Sequence, residues 1–466
     1  MDGDCIVILF GAGVYAKKYK ALLEYLNMEF DYFTDNDSSK WTMKLYGKPV
    51  IPPSRLKQFP KCKIIISSTH EQAIRKQLAE MELADKIMSL EELYHLCGQK
   101  MTKTDRSGLD ITVRDNVTVL VDMYEGIGWG GTELWAAGLA FGLKSAGRNV
   151  LLIGGTEQPS LEARYETLTI RITEHDTIMH MVELMEQNLP CIFINNFAGC
   201  AFMAAIIVKK KYPDSMHIVS VIHNDNPSLF DAHMMLSKYI EKIFCVSSQI
   251  REHMQEQYVM PNQCYYFKEQ PIETDILREI RPDTEEYDVL RLGYAARLVR
   301  QQKRADLLIE FIKCLEERGF DYIFQIAGEG ECGDMIMDYV RHHHLERKVE
   351  LLGRLPKSEM QAFWKRQDIF INISEYEGTS LSMLEAMSCG CVPVVTDVSG
   401  AKEFITHGEN GYICDIGDLK MMAQYVASLD NERKKLASFG RKCQIIIKER
   451  CNPEEYIKYW IKNLLN

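Results

Sequence analysis

The chain has 466 residues, room for about three domains at roughly 150 residues each. Hydrophobic residues at 46% and charged residues at 26% are ordinary globular values, which excludes a disordered or collagen-like chain. Lys and Arg number 55 against 66 Asp and Glu, and the net charge of −11 argues against nucleic acid as a partner.

Residues 1–98 alternate strand and helix: a strand over 5–10, a helix from Val14, strands over 29–34 and 63–67, and a helix from Glu71. The start carries no positive n-region, and the apolar run 6–10 is too short for a signal peptide. The turn Phe10-Gly11-Ala12-Gly13-Val14-Tyr15-Ala16 fits the dinucleotide fingerprint, with glycines for a tight turn and close backbone approach to a phosphate. Asp35 and Asp37 follow roughly 20 residues on, where a ribose contact is expected. Gly11, Gly13 and Asp35 therefore form a candidate second nucleotide site. A docking domain without a ligand explains the same residues equally well.

The polar segment 99–116 reads as a linker. The block 117–285 opens with a strand over 117–122 and the glycine-rich Gly126-Ile127-Gly128-Trp129-Gly130-Gly131-Thr132-Glu133. No Gly-Lys-Ser/Thr follows, so this is not a P-loop. A helix over 133–145 and strands over 149–153, 191–195, 217–222 and 242–246 complete the block. The longest apolar stretch, 191–208, holds Asn195 and Asn196, which favours a buried strand and packed helix over a membrane span. Lys209-Lys210-Lys211 then read as a solvated helix end or as a contact with an anionic membrane. His223 stands at a strand end in Ile222-His223-Asn224-Asp225, where α/β sheets bind ligands.

The charged stretch 281–288 marks the next boundary. The block 286–466 alternates strands at 289–295, 322–327, 349–352, 369–373 and 392–396 with helices at 304–318, 334–344 and 380–389. Such alternation predicts parallel sheets covered on both faces. The 14 cysteines are scattered without a CxxC pair and read as reduced thiols of a cytosolic protein. His342, His343 and His344 point in three directions on a helix, so they do not form one metal site.

Three strand-end segments in this block suit phosphate chemistry. In Glu377-Gly378-Thr379-Ser380-Leu381, Gly378 permits close backbone approach, and Thr379 to Leu381 open a helix whose N–H groups suit phosphate oxygens. Glu377 before that helix and Glu385 within it could grip hydroxyls on either side of the phosphate. Arg297-Leu298-Val299-Arg300-Gln301-Gln302-Lys303-Arg304 places four cations in eight residues, as a diphosphate requires. Gly328-Glu329-Gly330 is a strand-to-helix turn compatible with ligand contact or with a purely conformational role.

Residues 117–466 resemble family-4 retaining glycosyltransferases of the GT-B fold. The likeness rests on Gly130-Gly131-Thr132-Glu133, His223, Arg297-Leu298 with Lys303, Gly328-Glu329-Gly330, Gly353-Arg354-Leu355, Glu377-x7-Glu385 running on through Val395, Gly400-Ala401-Lys402-Glu403 and Asn410-Gly411. It implies an α/β chain of two Rossmann-like domains facing a cleft, an acceptor domain over 117–285 and a donor domain over 286–466, with the last helix packing back on the acceptor domain. It implies that Arg297 and Lys303 hold the donor diphosphate, that Glu385 binds the ribose and Glu377 the sugar. His223 then lies near the reacting centre, and the Gly130-Gly131 loop closes over the cleft. Gly328, Gly330, Arg354, Gly378, Thr379, Ser380 and Leu381 complete the expected donor site. No metal or other cofactor is implied beyond the nucleotide-sugar substrate.

Four positions depart from the family pattern: Ala296 and Arg304 stand where glycines are usual, and Thr379 and Ser380 replace an aromatic and a glycine. Residues 1–98 resemble the small Rossmann-like domain ahead of bacterial sugar acyltransferases, on Gly11-x-Gly13-x-x-Ala16, Asp35-Asn36-Asp37 and Gly47-Lys48-Pro49-Val50-Ile51-Pro52.

The expectation is a cytoplasmic or membrane-peripheral transferase using a nucleotide-sugar, UDP-sugars favoured, on an unidentified acceptor, lipid-linked carriers included. A catalytically silent sugar-nucleotide-binding or partner-binding protein is the alternative. An oxidoreductase built on residues 1–98 is disfavoured, since that block lacks a catalytic Tyr-x-x-x-Lys.

Overall fold

Short apolar runs closed by turn residues build three sheets. A computed structural model describes residues 5–13, 15–68, 70–100, 117–124, 130–156, 162–172, 177–234, 236–258, 264–272 and 289–465. The loop Gly126–Trp129, most of the expected linker and the stretch 281–288 lie outside the described residues.

In the first sheet β1 (Ile6–Phe10), β2 (Tyr32–Thr34), β3 (Lys44–Leu45), β4 (Lys48–Ile51) and β5 (Cys62–Ile66) take the order 3-4-2-1-5. Only the β3–β4 hairpin is antiparallel. The second sheet holds β6 (Thr118–Asp122), β7 (Asn149–Gly155), β8 (Thr169–Ile172), β9 (Cys191–Asn195), β10 (Met216–Ile222), β11 (Lys242–Cys245) and β12 (Tyr265–Phe267), ordered 12-11-10-9-6-7-8. The third holds β13 (Leu290–Ala295), β14 (Tyr322–Ala327), β15 (Val349–Gly353), β16 (Ile369–Asn372), β17 (Val392–Thr396) and β18 (Tyr412–Cys414), ordered 15-14-13-16-17-18 and parallel throughout. This last order reverses direction between β13 and β16, the switch point at which such sheets bind ligands.

The chain divides into two compact units, residues 1–221 with 230–243 and residues 222–229 with 244–466. In the first unit, β9 is buried along its length and the helix Cys200–Lys211 is buried from Cys200 to Val208. The amides that interrupt this apolar stretch are satisfied: Asn195 Nδ2 donates to Ser220 Oγ (2.9 Å) and Asn196 Nδ2 to the Asp122 carbonyl (2.6 Å). That is the condition under which burying an amide costs little.

The helix Leu90–Lys100 extends two residues into the expected linker and packs against Cys200–Lys211. Its Glu91 carboxylate accepts from Lys210, Lys238 and the Tyr239 hydroxyl. Desolvation alone would raise the Glu91 pKa, but those three donors outweigh it and hold it at about 2. The lysine run thus differs from both expectations. Lys209 pairs with Glu241, Lys210 with Glu91 and Lys211 with Glu186, and their side chains are only 16%, 19% and 13% exposed. These cations are neutralised inside the fold and present no free basic patch.

In the second unit two apolar clusters flank the third sheet, one around Leu292, Phe311 and Phe324, the other around Phe363, Trp364 and Met387. The last helix, Pro453–Leu465, stacks Trp460 on Phe244 of β11 at 3.9 Å between ring centroids, and Phe244 stacks in turn on Tyr266 at 5.0 Å. Among the described residues no helix is long and apolar enough to cross a membrane.

Candidate functional site

The loops after β13 and β16 are neighbours because their strands pair across the switch point. The first carries Arg297 to Arg304 and the second Ser374 to Ser380. Their junction is an ion pair between a buried carboxylate and a half-buried ammonium: Lys303 Nζ lies 2.5 Å from Glu377 Oε1, with side chains 16% and 6% exposed. The same oxygen accepts from Ser374 Oγ (2.7 Å) and Asn372 Nδ2 (3.5 Å). All three donors reach Oε1, so the carboxylate is fixed through one oxygen. Tyr294 of β13 lies in the same field; burial and then the Glu377 charge push its phenol well above the ordinary value.

The strand end at His223 meets this loop through the backbone. The Asp225 N–H donates to the Glu377 carbonyl (2.9 Å), and Asp225 Oδ1 lies 2.8 Å from His253 Nδ1. A Cβ on Gly378 would sit 2.0 Å from the His223 carbonyl oxygen and 2.6 Å from Val246 Cγ2. Gly378 is required because two backbone segments cross there, a different reason from the ligand approach that its sequence position suggests. Thr379 Oγ1 donates to the Val246 carbonyl (2.7 Å). Ser380 caps the helix Leu381–Ser388, accepting from the Met383 N–H (3.3 Å). Glu385 is half-buried on that helix.

Arg297 is exposed and joins the junction indirectly. Its Nη2 donates to Gln302 Oε1 (3.0 Å), and Gln302 Nε2 donates to Asn224 Oδ1 (3.2 Å), next to His223. The Glu375 N–H donates to the Gln302 carbonyl (2.8 Å), which ties the two loops together. Gln302 and Arg304 hold φ of +69° and +46°. Arg304, at the position where glycine is usual, therefore takes a conformation that favours glycine, and it pairs with Glu375 at 3.2 Å.

Gly328 and Gly330 have φ of +147° and +152°, and a Cβ on them would meet the carbonyls of Ala296 (1.9 Å) and Leu298 (2.5 Å). They let the loop after β14 cross the Arg297 loop, with the Leu298 N–H donating to the Glu329 carbonyl (2.8 Å). Arg354 is exposed beyond β15. Glu403, whose pKa burial raises, accepts from the Ser248 N–H and holds the helix Ser248–Gln257.

The other candidates belong to the first unit. Gly130 precedes the helix Gly131–Ser145, and its N–H donates to Glu133 Oε2 (3.0 Å). Gly11, at φ +125°, packs its backbone against Ser67. Asp35 Oδ2 accepts from the Ala12 N–H (2.8 Å) and Lys40 Nζ (3.1 Å), and Oδ1 from the Asp37 N–H (2.9 Å). Its carboxylate thus ties the loop after β2 to the loop after β1.

Sequence reasoning missed Gln302, Asn224, Asp225, His253 and Ser374. Ser374 was accessible, since it follows a strand end and precedes Glu377. Gln302 gave no signal, because an amide inside a basic turn reads as solvated.

Residues 277–445 match the family described as "Glycosyl transferases group 1", and residues 4–88 match "C2185-like, N-terminal". The chain is 33% identical over 178 residues to poly(ribitol-phosphate) alpha-N-acetylglucosaminyltransferase of Staphylococcus aureus, covering 38% of this chain and 35% of that protein. The chain thus spans about a third of that relative. It is 23% identical over 280 residues to N-acetyl-alpha-D-glucosaminyl L-malate synthase of Bacillus anthracis, covering 56% and 70%. Among solved structures, Anabaena HepE in complex with UDP and glucose superposes with a TM-score of 0.62 at 15% identity, over 75% of this chain and 99% of that one. The pneumococcal O-GlcNAc transferase GtfA, in complex with UDP and GlcNAc, gives 0.60 at 14%, over 75% and 98%. These likenesses show the fold: α/β with several Rossmann-like parallel sheets, of the GT-B class.

Proposed function

We propose that the chain is a retaining glycosyltransferase that moves a sugar from a nucleotide-sugar, UDP-sugars favoured, to an acceptor in polysaccharide or glycoconjugate assembly. The observation that carries this reading is the Lys303–Glu377 pair at the switch point of the third sheet, inside the segment that matches group 1 transferases. Relatives named for transfer of N-acetylglucosamine and neighbours solved with UDP support the substrate class.

In the reaction, the acceptor oxygen bonds to the anomeric carbon on the face that the diphosphate leaves. The bond from that carbon to the phosphate oxygen breaks, its electrons stay on the diphosphate, and the diphosphate takes the acceptor proton. Lys303 and Arg297 compensate the charge that grows on the leaving group, as preorganised donors do at transition states. Glu377, held through Oε1, offers Oε2 to sugar hydroxyls, and Glu385 takes the ribose. His223 stands beside the reacting sugar. The acceptor is a glycan or a lipid-linked carrier met in the cytoplasm or at its membrane.

UDP release from a panel of UDP-sugars tests the reading. Release that depends on an added acceptor is the expected result. Tight nucleotide-sugar binding without release or transfer would instead assign the fold to a silent binding protein.

A further inference from the structure

We infer that the β3–β4 hairpin of residues 40–48 is a docking surface for an anionic phospholipid membrane. Nine large hydrophobic side chains are exposed among the described residues, and three fall within six positions: Trp41 (38%), Met43 (56%) and Tyr46 (47%). They alternate with Lys40, Lys44 and Lys48 in Lys40-Trp41-Thr42-Met43-Lys44-Leu45-Tyr46-Gly47-Lys48. Between Asp37 and Glu71 the chain holds seven Lys and Arg and no carboxylate, although its net charge is −11. An acidic protein is repelled by an anionic surface on average, so it approaches one only through a local region of this kind.

Part of each side chain faces water: the Trp41 indole N–H donates to the Asp35 carbonyl (2.7 Å) and Lys20 Nζ lies 5.6 Å from the Tyr46 ring, while Met43 is the most exposed of the three. β3 is the edge of its sheet, paired only with β4, Lys44 opposite Pro49 and Leu45 opposite Lys48. Tyr46 and Gly47 make the two-residue turn with φ of +49° and +77°. Asn or Asp normally fills the first of these positions, so an aromatic residue there is held in a conformation it rarely adopts. A lysine alone would guard a sheet edge against aggregation. Exposed indole, thioether and phenol groups do the opposite, unless an interface receives them.

Trp and Tyr favour the headgroup level, and lysines there meet lipid phosphates. A soluble anionic polymer would satisfy the lysines but leave Met43 in water, so the combination favours lipid. Lys40 is shared with Asp35 (3.1 Å) and Asp37 (3.9 Å), and half-buried Lys48 lies over the Phe30 ring (5.7 Å), which leaves exposed Lys44 as the cation to test. The surface lies outside the donor site, and this inference does not use the transfer reading.

The full chain is sedimented with vesicles of phosphatidylcholine alone and with vesicles of phosphatidylcholine and phosphatidylglycerol in equal parts. Binding to the mixed vesicles only, released by added salt, is expected. Lys44→Glu should lower partitioning on the order of tenfold or more, since each surface lysine contributes about 1 kcal/mol. Met43→Ser should also lower it, with unchanged thermal melting in both variants. Equal binding to both vesicle types, or variants that bind as the parent does, would overturn the assignment. So would self-association in the absence of vesicles that Met43→Ser abolishes, or capture by a soluble polyol phosphate polymer without vesicle binding.

Discussion

Lys303 Nζ and Glu377 Oε1 are 2.5 Å apart, the carboxylate buried and the ammonium largely withdrawn from water. Removing one partner leaves the other buried and uncompensated, which costs far more than removing both. Lys303→Ala should therefore lower stability by about 3 kcal/mol. Lys303→Ala with Glu377→Gln should lose less than the sum of the single changes, by about 1 kcal/mol or more. All three variants should lose on the order of a hundredfold or more in transfer, because the pair also addresses the donor. Denaturant unfolding and UDP release on the same samples separate the two effects. Additive stability losses would show that the ion pair is not coupled, and unchanged turnover would remove Lys303 from catalysis.

Gly378 tests whether the crossing of two strand ends shapes the site. Its Cβ would come within 2.0 Å of the His223 carbonyl, a backbone atom that cannot rotate away. Gly378→Ala should cost roughly 1–3 kcal/mol, the usual range for overpacking, and shift the Glu377 loop relative to His223. A fall in melting temperature with weakened UDP binding is expected. A variant as stable as the parent would mean that the loop has room to move.

Much of this was legible in residue order. The alternation of apolar strands and helices over 289–396 fixed a parallel sheet, because each strand is a short run closed by a turn. Lys303 and Glu377 were found by their placement after strands, where the switch point brings them together. The role of Gly378 was not legible, since a glycine that lets backbones cross and one that lets a ligand approach look alike in one dimension. The run Lys209-Lys210-Lys211 misled for a related reason: Glu91, Glu186 and Glu241, which neutralise it, are brought close only by tertiary packing. Asp35 stands at the spacing of a ribose ligand, and its contacts with the Ala12 N–H and Lys40 are partners that spacing alone does not show.

Arg304 carries a conformational load that its pattern position foretells. At φ +46° a side chain crowds the following carbonyl, and glycine escapes that crowding. Arg304→Gly and Arg304→Ala both delete the contact with Glu375. Their difference therefore isolates the backbone, and the glycine variant should be the more stable by about 1 kcal/mol. Calorimetric melting of the two variants reads this directly. Equal melting temperatures would place Arg304 in an unstrained well.

His233 should dominate the acid limb of stability. It is buried in the first unit, with Nδ1 at 3.2 Å from Asn195 Nδ2. Desolvation, and then the charge of Lys18, depress its pKa to about 3. Lys18 is itself buried and donates to the Ala198 carbonyl at 3.0 Å. The unfolded chain takes up this proton near pH 6.5 and the folded chain only near 3, so unfolding binds protons and stability falls as the pH drops through that interval. Between pH 7 and pH 5 this single group should remove about 2 kcal/mol. His233→Gln keeps a polar partner for Asn195 and should flatten the slope between those pH values. Lys18→Met should leave the slope between those pH values nearly unchanged, since desolvation, the larger cause, still holds the folded imidazole neutral down to pH 5. Denaturant unfolding at both pH values measures the slope, and a His233→Gln protein as acid-sensitive as its parent would place the titrating group elsewhere.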